Sequence, residues 1–262
     1  MRRRAFSFVA TLGLAVVLFG SSKEDMTEAR ARTCPAGMSL VDRDHAGAHD
    51  EPAGMKPLPA YCIDRYEGSL VEITSAGERH FSPYDMVKGR HVRAVSRSGV
   101  VPQAYISRNE ADLACKASHK RLCTEDEWTT ACRGKRPTTF PYGDDHKDGY
   151  CNDAGTSPLA TYYPALDADA HGFDAMNDPR LNALAGTVSK TGHHPHCKSS
   201  WGTFDMVGNV HEWIDDPAGT FLGGYYLDTH INGDGCSYKT VAHDADYHDY
   251  STGFRCCADA RR

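Results

Sequence analysis

Residues 205–212 (Asp205-Met206-Val207-Gly208-Asn209-Val210-His211-Glu212) gather carboxylates and turn carbonyls in one tight, glycine-containing stretch. Hard Ca²⁺ takes oxygen ligands of both kinds, so this stretch is a candidate structural calcium site. The plainer reading is that Asp205 and Glu212 cap turns and pair with cations. Histidines form a second concentration. His193-His194-Pro195-His196 precedes Cys197, and His230, His243 and His248 follow, the last two beside Asp244, Asp246 and Asp249. Two imidazoles and one carboxylate can hold non-haem iron. In a chain with 14 histidines, a polar loop surface accounts for the same residues without a metal. Tyr225, Tyr226, Asp228 and His230 offer ring surface, hydroxyls and a carboxylate. That combination suits a cleft for a cationic or hydroxylated ligand. Trp128, Trp201 and Trp213 are expected in the core rather than at a site.

Ten cysteines among 262 residues are many for a cytosolic enzyme. The start of the chain supplies a reason. Arg2, Arg3 and Arg4 precede an uncharged apolar run from Ala5 to Phe19, followed by Gly20, Ser21, Ser22 and the polar Lys23-Glu24-Asp25. Residues 1–22 therefore read as a secretory signal peptide. The run is shorter than the roughly 20 residues of a membrane span, and Ser21 stands where a lipid-anchored protein would need Cys. No second stretch could cross a membrane. Export to a periplasm or the extracellular space is expected, and it permits disulfides. The 29 basic and 35 acidic residues give a net charge of −6. Loss of the three leader arginines takes it to −9. With no basic stripe, nucleic acid is not an expected partner. There is no phosphate-binding glycine loop, HExxH or GxSxG.

The elements that must position these groups are partly legible. Residues 23–60 read as a linker and a looped leading segment. Tyr61 to Glu67 alternates like a strand. Ser107 with Glu110, and Thr124 with Glu127, are capping boxes that open two helices. Ala111, Ala114 and Cys115 share a face of the first, and Trp128, Ala131 and Cys132 the inner face of the second. Gly134 is placed to end it. The stretch 137–262 is turn-rich, and it needs disulfides or metal ions to hold it.

Several motifs resemble the formylglycine-generating enzyme (sulfatase-modifying factor) family. Arg121-Leu122-Cys123-Thr124-Glu125-Asp126-Glu127-Trp128 is similar to RLPTEAEWE, and Ile63-Asp64-Arg65-Tyr66-Glu67 to the family's opening strand. Phe140-Pro141-Tyr142-Gly143 resembles FPWG, and Phe204 to Trp213 resembles YDMVGNVWEW. Gly223-Gly224-Tyr225-Tyr226 stands where GGSW or GGSY is usual, and Gly253-Phe254-Arg255-Cys256 matches GFRC. The motifs keep the family order from residue 61 to residue 257. The resemblance implies one α+β domain over 61–262, disulfide-rich with much irregular structure, related to C-type lectin folds.

It also implies chemistry. The family's calcium site maps onto the Asp205 side chain, the Gly208 and Val210 carbonyls and the Glu212 side chain. A second site starts at Asn152 and the Asp153 carbonyl. Members oxidise a sulfatase cysteine to formylglycine with copper held by two thiolates. Soft Cu(I) needs soft sulfur. Here Asp228 and Gly233 stand at or near those thiol positions, so copper and the oxidase activity are not expected. The family pairs cysteines at the positions of Cys115 with Cys256 and Cys132 with Cys236. Sequence leaves Cys34, Cys62, Cys123, Cys151, Cys197 and Cys257 open; Cys34–Cys62, Cys123–Cys257 and Cys151–Cys197 is one arrangement. The expected role is a module binding a peptide, protein or glycan. The alternative is an active metal-dependent oxidase, with copper and rearranged ligands or with histidine-held iron.

Overall fold

In the computed structural model, which describes residues 31–43, 58–165 and 172–261, both capping boxes form. Ser107 accepts from the Glu110 amide at the start of α1 (Arg108–Lys116), and Thr124 from the Glu127 amide at the start of α2 (Glu125–Arg133). In each case the glutamate reaches back to the cap amide, so two of the helix's orphan donors are satisfied. Ala111, Ala114 and Cys115 of α1 and Trp128, Ala131 and Cys132 of α2 are buried, as the spacing predicts. Gly134 closes α2 with φ +81°.

The strands are short. β1 (Met38–Val41), β2 (Tyr61–Asp64), β3 (Gly68–Thr74), β4 (Gly77–His80), β5 (Val92–Ser96) and β6 (Arg121–Leu122) come from the first half. The turn-rich remainder adds one-turn helices α3 (Pro158–Tyr162), α4 (Phe173–Met176) and α5 (Arg180–Ala183). After them come β7 (His211–Trp213), β8 (Phe221–Leu222), β9 (Lys239–Thr240), β10 (Thr252–Phe254) and β11 (Cys256–Asp259). Three sheets result, with strand orders β1-β2-β11-β6, β10-β7-β8-β9 and β4-β3-β5. Every pair is antiparallel except β10 with β7. The fold is α+β, with much irregular structure.

The compact unit comprises Arg32–Arg262. The leading segment thus contributes β1, whose Met38 faces Asp64 and whose Val41 faces Tyr61. All four residues of β2 are buried: Tyr61 and Ile63 lie in an apolar cluster, Cys62 is bridged to Cys34, and Asp64 is paired with Lys120. Residues 1–22, read as a signal peptide, lie outside the described residues. Among the described residues no helix is long and apolar enough to cross a membrane.

All ten cysteines are paired, as Cys34–Cys62, Cys115–Cys256, Cys123–Cys257, Cys132–Cys236 and Cys151–Cys197. Neighbouring Cys256 and Cys257 tie β11 to α1 and to the turn that leads into α2, respectively. Ile63, Trp128, Met206 and Leu222 share one apolar cluster. Leu70, Ile106, Trp213 and Phe254 share a second, and Tyr105, Leu181, Tyr226 and Tyr250 a third.

Candidate functional site

The Asp205–Glu212 turn bends through three left-handed residues, Asp205 (φ 56°), Gly208 (φ 78°) and Asn209 (φ 60°). Asp and Asn tolerate this conformation better than most residues. At Gly208 the absence of a side chain is required, because a Cβ there would stand 2.3 Å from the Asn152 carbonyl oxygen. Gly208 bridges to Asn152, and the Asn209 amide donates to the Asn152 carbonyl at 2.8 Å. The Asn152 carboxamide returns a bond to Asn209 Oδ1 at 2.9 Å and donates to the Thr187 carbonyl at 3.0 Å. The two stretches expected to hold separate calcium ions are therefore strapped side by side.

Asn209, which is not among the expected ligands, organises this strap. Its Nδ2 donates to both oxygens of Glu67, at 3.0 and 2.8 Å, and its Oδ1 accepts from the Ser189 amide at 2.7 Å. Glu67, Asp205 and Glu212 are all buried, and so is Arg255. Arg255 forks onto Glu212, with Nε to Oε2 and Nη2 to Oε1 both at 2.5 Å, and Trp128 Nε1 adds a bond to Oε2 at 2.6 Å. Asp205 Oδ2 accepts from the Gly192 amide at 2.6 Å. Burial pushes the Asp205 carboxyl up to about 7, and burial with the nearby Asp205 and Glu212 charges pushes Glu67 well above the usual range. Three carboxylates thus surround a single guanidinium. The Gly208 and Val210 carbonyls accept no hydrogen bond from the described residues. Asp153 holds His146 Nε2 at 2.7 Å.

The tyrosine-rich stretch divides into two environments. Tyr225 and Asp228 close a turn by reciprocal backbone bonds of 2.9 and 3.0 Å. Asp228 is half-buried. Its Oδ1 accepts from the His230 and Ile231 amides at 2.9 and 3.0 Å, and its Oδ2 accepts from the Tyr238 hydroxyl at 2.8 Å. Burial alone would raise this carboxyl; those donors outweigh it and hold it below the usual range. Tyr226 does not line a cleft with Tyr225. It is fully buried, and its hydroxyl donates to Asn182 Oδ1 at 3.1 Å. His230 is exposed and engaged elsewhere, with Nδ1 on Asp234 at 2.9 Å and its ring edge against His146.

The position expected for His230 is taken by His211. Its ring packs on Phe221, Tyr225 and Tyr238 with centroids at 4.4, 4.9 and 5.5 Å. Burial lowers its basicity to about 3, so the imidazole is neutral at physiological pH. Its Nδ1 is buried with no hydrogen-bond partner among the described residues. His211 stands where the resembling motif carries Trp, and that exchange is the signal the sequence offers. The other histidines disperse. His196 stacks on Tyr150, His243 stacks on Tyr247, and His248 bonds Asn177 at 2.7 Å. Among the described residues no three His, Cys, Asp or Glu side chains converge as a metal-binding group.

Residues 20–260 match the family model of the "Sulfatase-modifying factor enzyme 1-like domain". The chain belongs to this family. It is 26% identical over 175 residues to "Inactive C-alpha-formylglycine-generating enzyme 2" of Bos taurus, covering 62% of the chain and 51% of that protein. It is 30% identical over 125 residues to the "Formylglycine-generating enzyme" of Mycobacterium tuberculosis, covering 48% and 36%. The chain thus spans about half or less of the length of the curated relatives it matches. Among solved structures, it is similar to PvdO from Pseudomonas aeruginosa, with a TM-score of 0.44 and 15% identity over 80% of this chain and 88% of that one. The "Major Tropism Determinant I1 Variant" is also similar, with a TM-score of 0.46 and 13% identity over 88% and 54%.

The stretch Gly223 to Asp234 contains no cysteine, and every cysteine of the chain is in a disulfide. The residues present do not fit a thiolate-held copper.

Proposed function

We propose that this member of the sulfatase-modifying-factor family does not oxidise cysteine and acts instead as an exported ligand-binding module. One observation carries the reading: all ten sulfurs are engaged in cross-links. The resemblance adds that Asp228 stands where the family's first thiol is expected. A disulfide sulfur is not a thiolate ligand. Five bridges also suit an oxidising compartment, a periplasm or the extracellular space.

The ligand would meet the half-buried Tyr225 and Asp228, which lie over the buried rings of His211 and Tyr238. Together these residues combine ring faces, a carboxylate kept ionised by its donors and a neutral imidazole. Such a group suits a hydroxylated or cationic ligand, as on a glycan or a peptide. A structural calcium belongs to the same proposal. The Asp205 side chain and the Gly208 and Val210 carbonyls would hold it. Glu212 would add Oε1, which accepts one hydrogen bond and keeps a lone pair. Calcium would neutralise the surplus of buried carboxylates and cross-link the turn.

Incubation of copper-supplemented protein with a peptide carrying the sulfatase cysteine motif is the deciding experiment. No formylglycine is expected by mass spectrometry, and turnover above a copper-only control overturns the reading. Screening glycan and peptide panels with wild-type and Asp228→Asn protein tests the binding role. Hits lost in the variant support it, and hits that survive place the ligand elsewhere.

A further inference from the structure

Residues 93–97, in β5 and just beyond it, form one side of an open cavity of about 520 Å³ that shares no lining residue with the Tyr225–Asp228 group. The turn after α1 (Ala117, Ser118, His119 and Lys120) forms the other, and Ala36 and Glu78 complete the lining. Three permanent cations line it. The Arg93 guanidinium is matched by Glu78, with Nε and Nη2 bonds of 2.5 and 2.6 Å. The Lys120 ammonium is matched by the fully buried Asp64 at 2.5 Å. Arg97 is different. Its carbonyl is anchored by the Thr191 hydroxyl at 2.6 Å, while its exposed guanidinium has no hydrogen bond or salt bridge among the described residues. It feels the Glu78 charge only at longer range, and Arg93 already holds both oxygens of that carboxylate. With Asp64, behind the lining, counted against Lys120, one positive charge is left over, on a side chain whose backbone is fixed.

The geometry points to an anion site in this groove, in which Arg97 grips a single carboxylate, sulfate or phosphate group of a small ligand. A guanidinium presents paired N–H donors that match two oxygens of such a group. Ligand size follows from the cavity volume, which is that of a small-molecule pocket. Charge follows from the balance. Arg93 and Lys120 already have partners, so one negative group completes the set and a second would meet Glu78. His119, exposed at φ 56° in the facing turn, offers a further ring N–H. The Ser118 and Ser96 hydroxyls are not available, since they bond the Ala94 and Tyr66 carbonyls at 2.6 and 3.0 Å. This site is separate from the Tyr225–Asp228 group and does not depend on the role proposed for it.

The test is a titration of the full chain with sulfate, inorganic phosphate or acetate at constant ionic strength, followed by amide NMR shifts. Saturable shifts at Arg97 and His119 are expected with at least one anion, and the anion that saturates names the head group. Arg97→Gln should weaken binding at least fivefold while leaving the melting temperature and the shifts around Tyr225 unchanged. Shifts that stay linear for all three anions, or that saturate equally in Arg97→Gln, overturn the proposal.

Discussion

Glu212 and Arg255 meet in the interior through two parallel bonds of 2.5 Å, with at most 1% of either side chain exposed. Arg255 also donates to the Asp64 and Phe204 carbonyls at 3.1 and 2.9 Å. One guanidinium thus ties β2 and the 204–212 stretch to the residue that leads into β11. Removing one partner of such a pair strands a buried charge. Arg255→Met is expected to cost about 3–5 kcal/mol, read as a shift in the urea midpoint with the disulfides intact. The double variant Arg255→Met/Glu212→Leu should cost less than the single change. A single variant within about 1 kcal/mol of wild type would show that the pair is not what joins these segments.

Gly208 supports a prediction of backbone strain. Gly208→Ala must hold a left-handed residue, a cost of about 1–2 kcal/mol. It must also displace the Asn152 carbonyl, which would lie 2.3 Å from the new Cβ. Loss of the Asn152–Asn209 contacts should appear as faster amide exchange at Asn209. A variant with wild-type stability and exchange would contradict the described strap.

Acid stability should depend on Glu72. Hydrogen bonds from Arg90 and Arg79 hold its carboxyl down at about 2. A depressed carboxylate stabilises the fold fully above its unfolded pKa, about 4.3. That contribution fades as pH falls through the folded value. Glu72→Gln should therefore lower the melting temperature at pH 6 more than at pH 2, with the difference closing between about 4.3 and 2. An equal deficit at both ends would assign the effect to packing.

Calcium should raise thermal stability. Saturation a hundredfold above Kd is worth about 2.7 kcal/mol, roughly 5 °C or more for a domain of this size. The measurement compares melting temperatures in calcium and in EGTA. Asp205→Ala should abolish the difference. No calcium effect on the wild-type protein would remove the ion from the proposed function.

Local signals carry the legible part of the fold. Ser107 and Thr124 announce their helices because a capping box is complete within four residues. Tyr226 is expected at the cleft and found in the core, because its burial is decided by Asn182, 44 positions earlier, and no local pattern encodes that partner. His211 is marked only by its exchange against the motif's Trp, and its role is not legible from burial. In Val210-His211-Glu212-Trp213 every residue is buried, so polarity gives no guide to which side chain faces the tyrosines. β1 leaves no local signature because Met38–Val41 is short and gains its order from pairing with β2 and from the nearby Cys34–Cys62 bridge. The pairing of Cys123 with Cys257 and of Cys151 with Cys197 agrees with the one arrangement named from the sequence.

The position of β11 governs the order in which this protein can mature. It lies between β2 and β6, and its adjacent cysteines close loops of 141 and 134 residues. Until that strand arrives, Cys115 and Cys123 have only wrong partners to react with, and the sheet lacks its middle. The covalent frame of this sheet is therefore completed only by the last strand of the chain, whichever segments have folded before it.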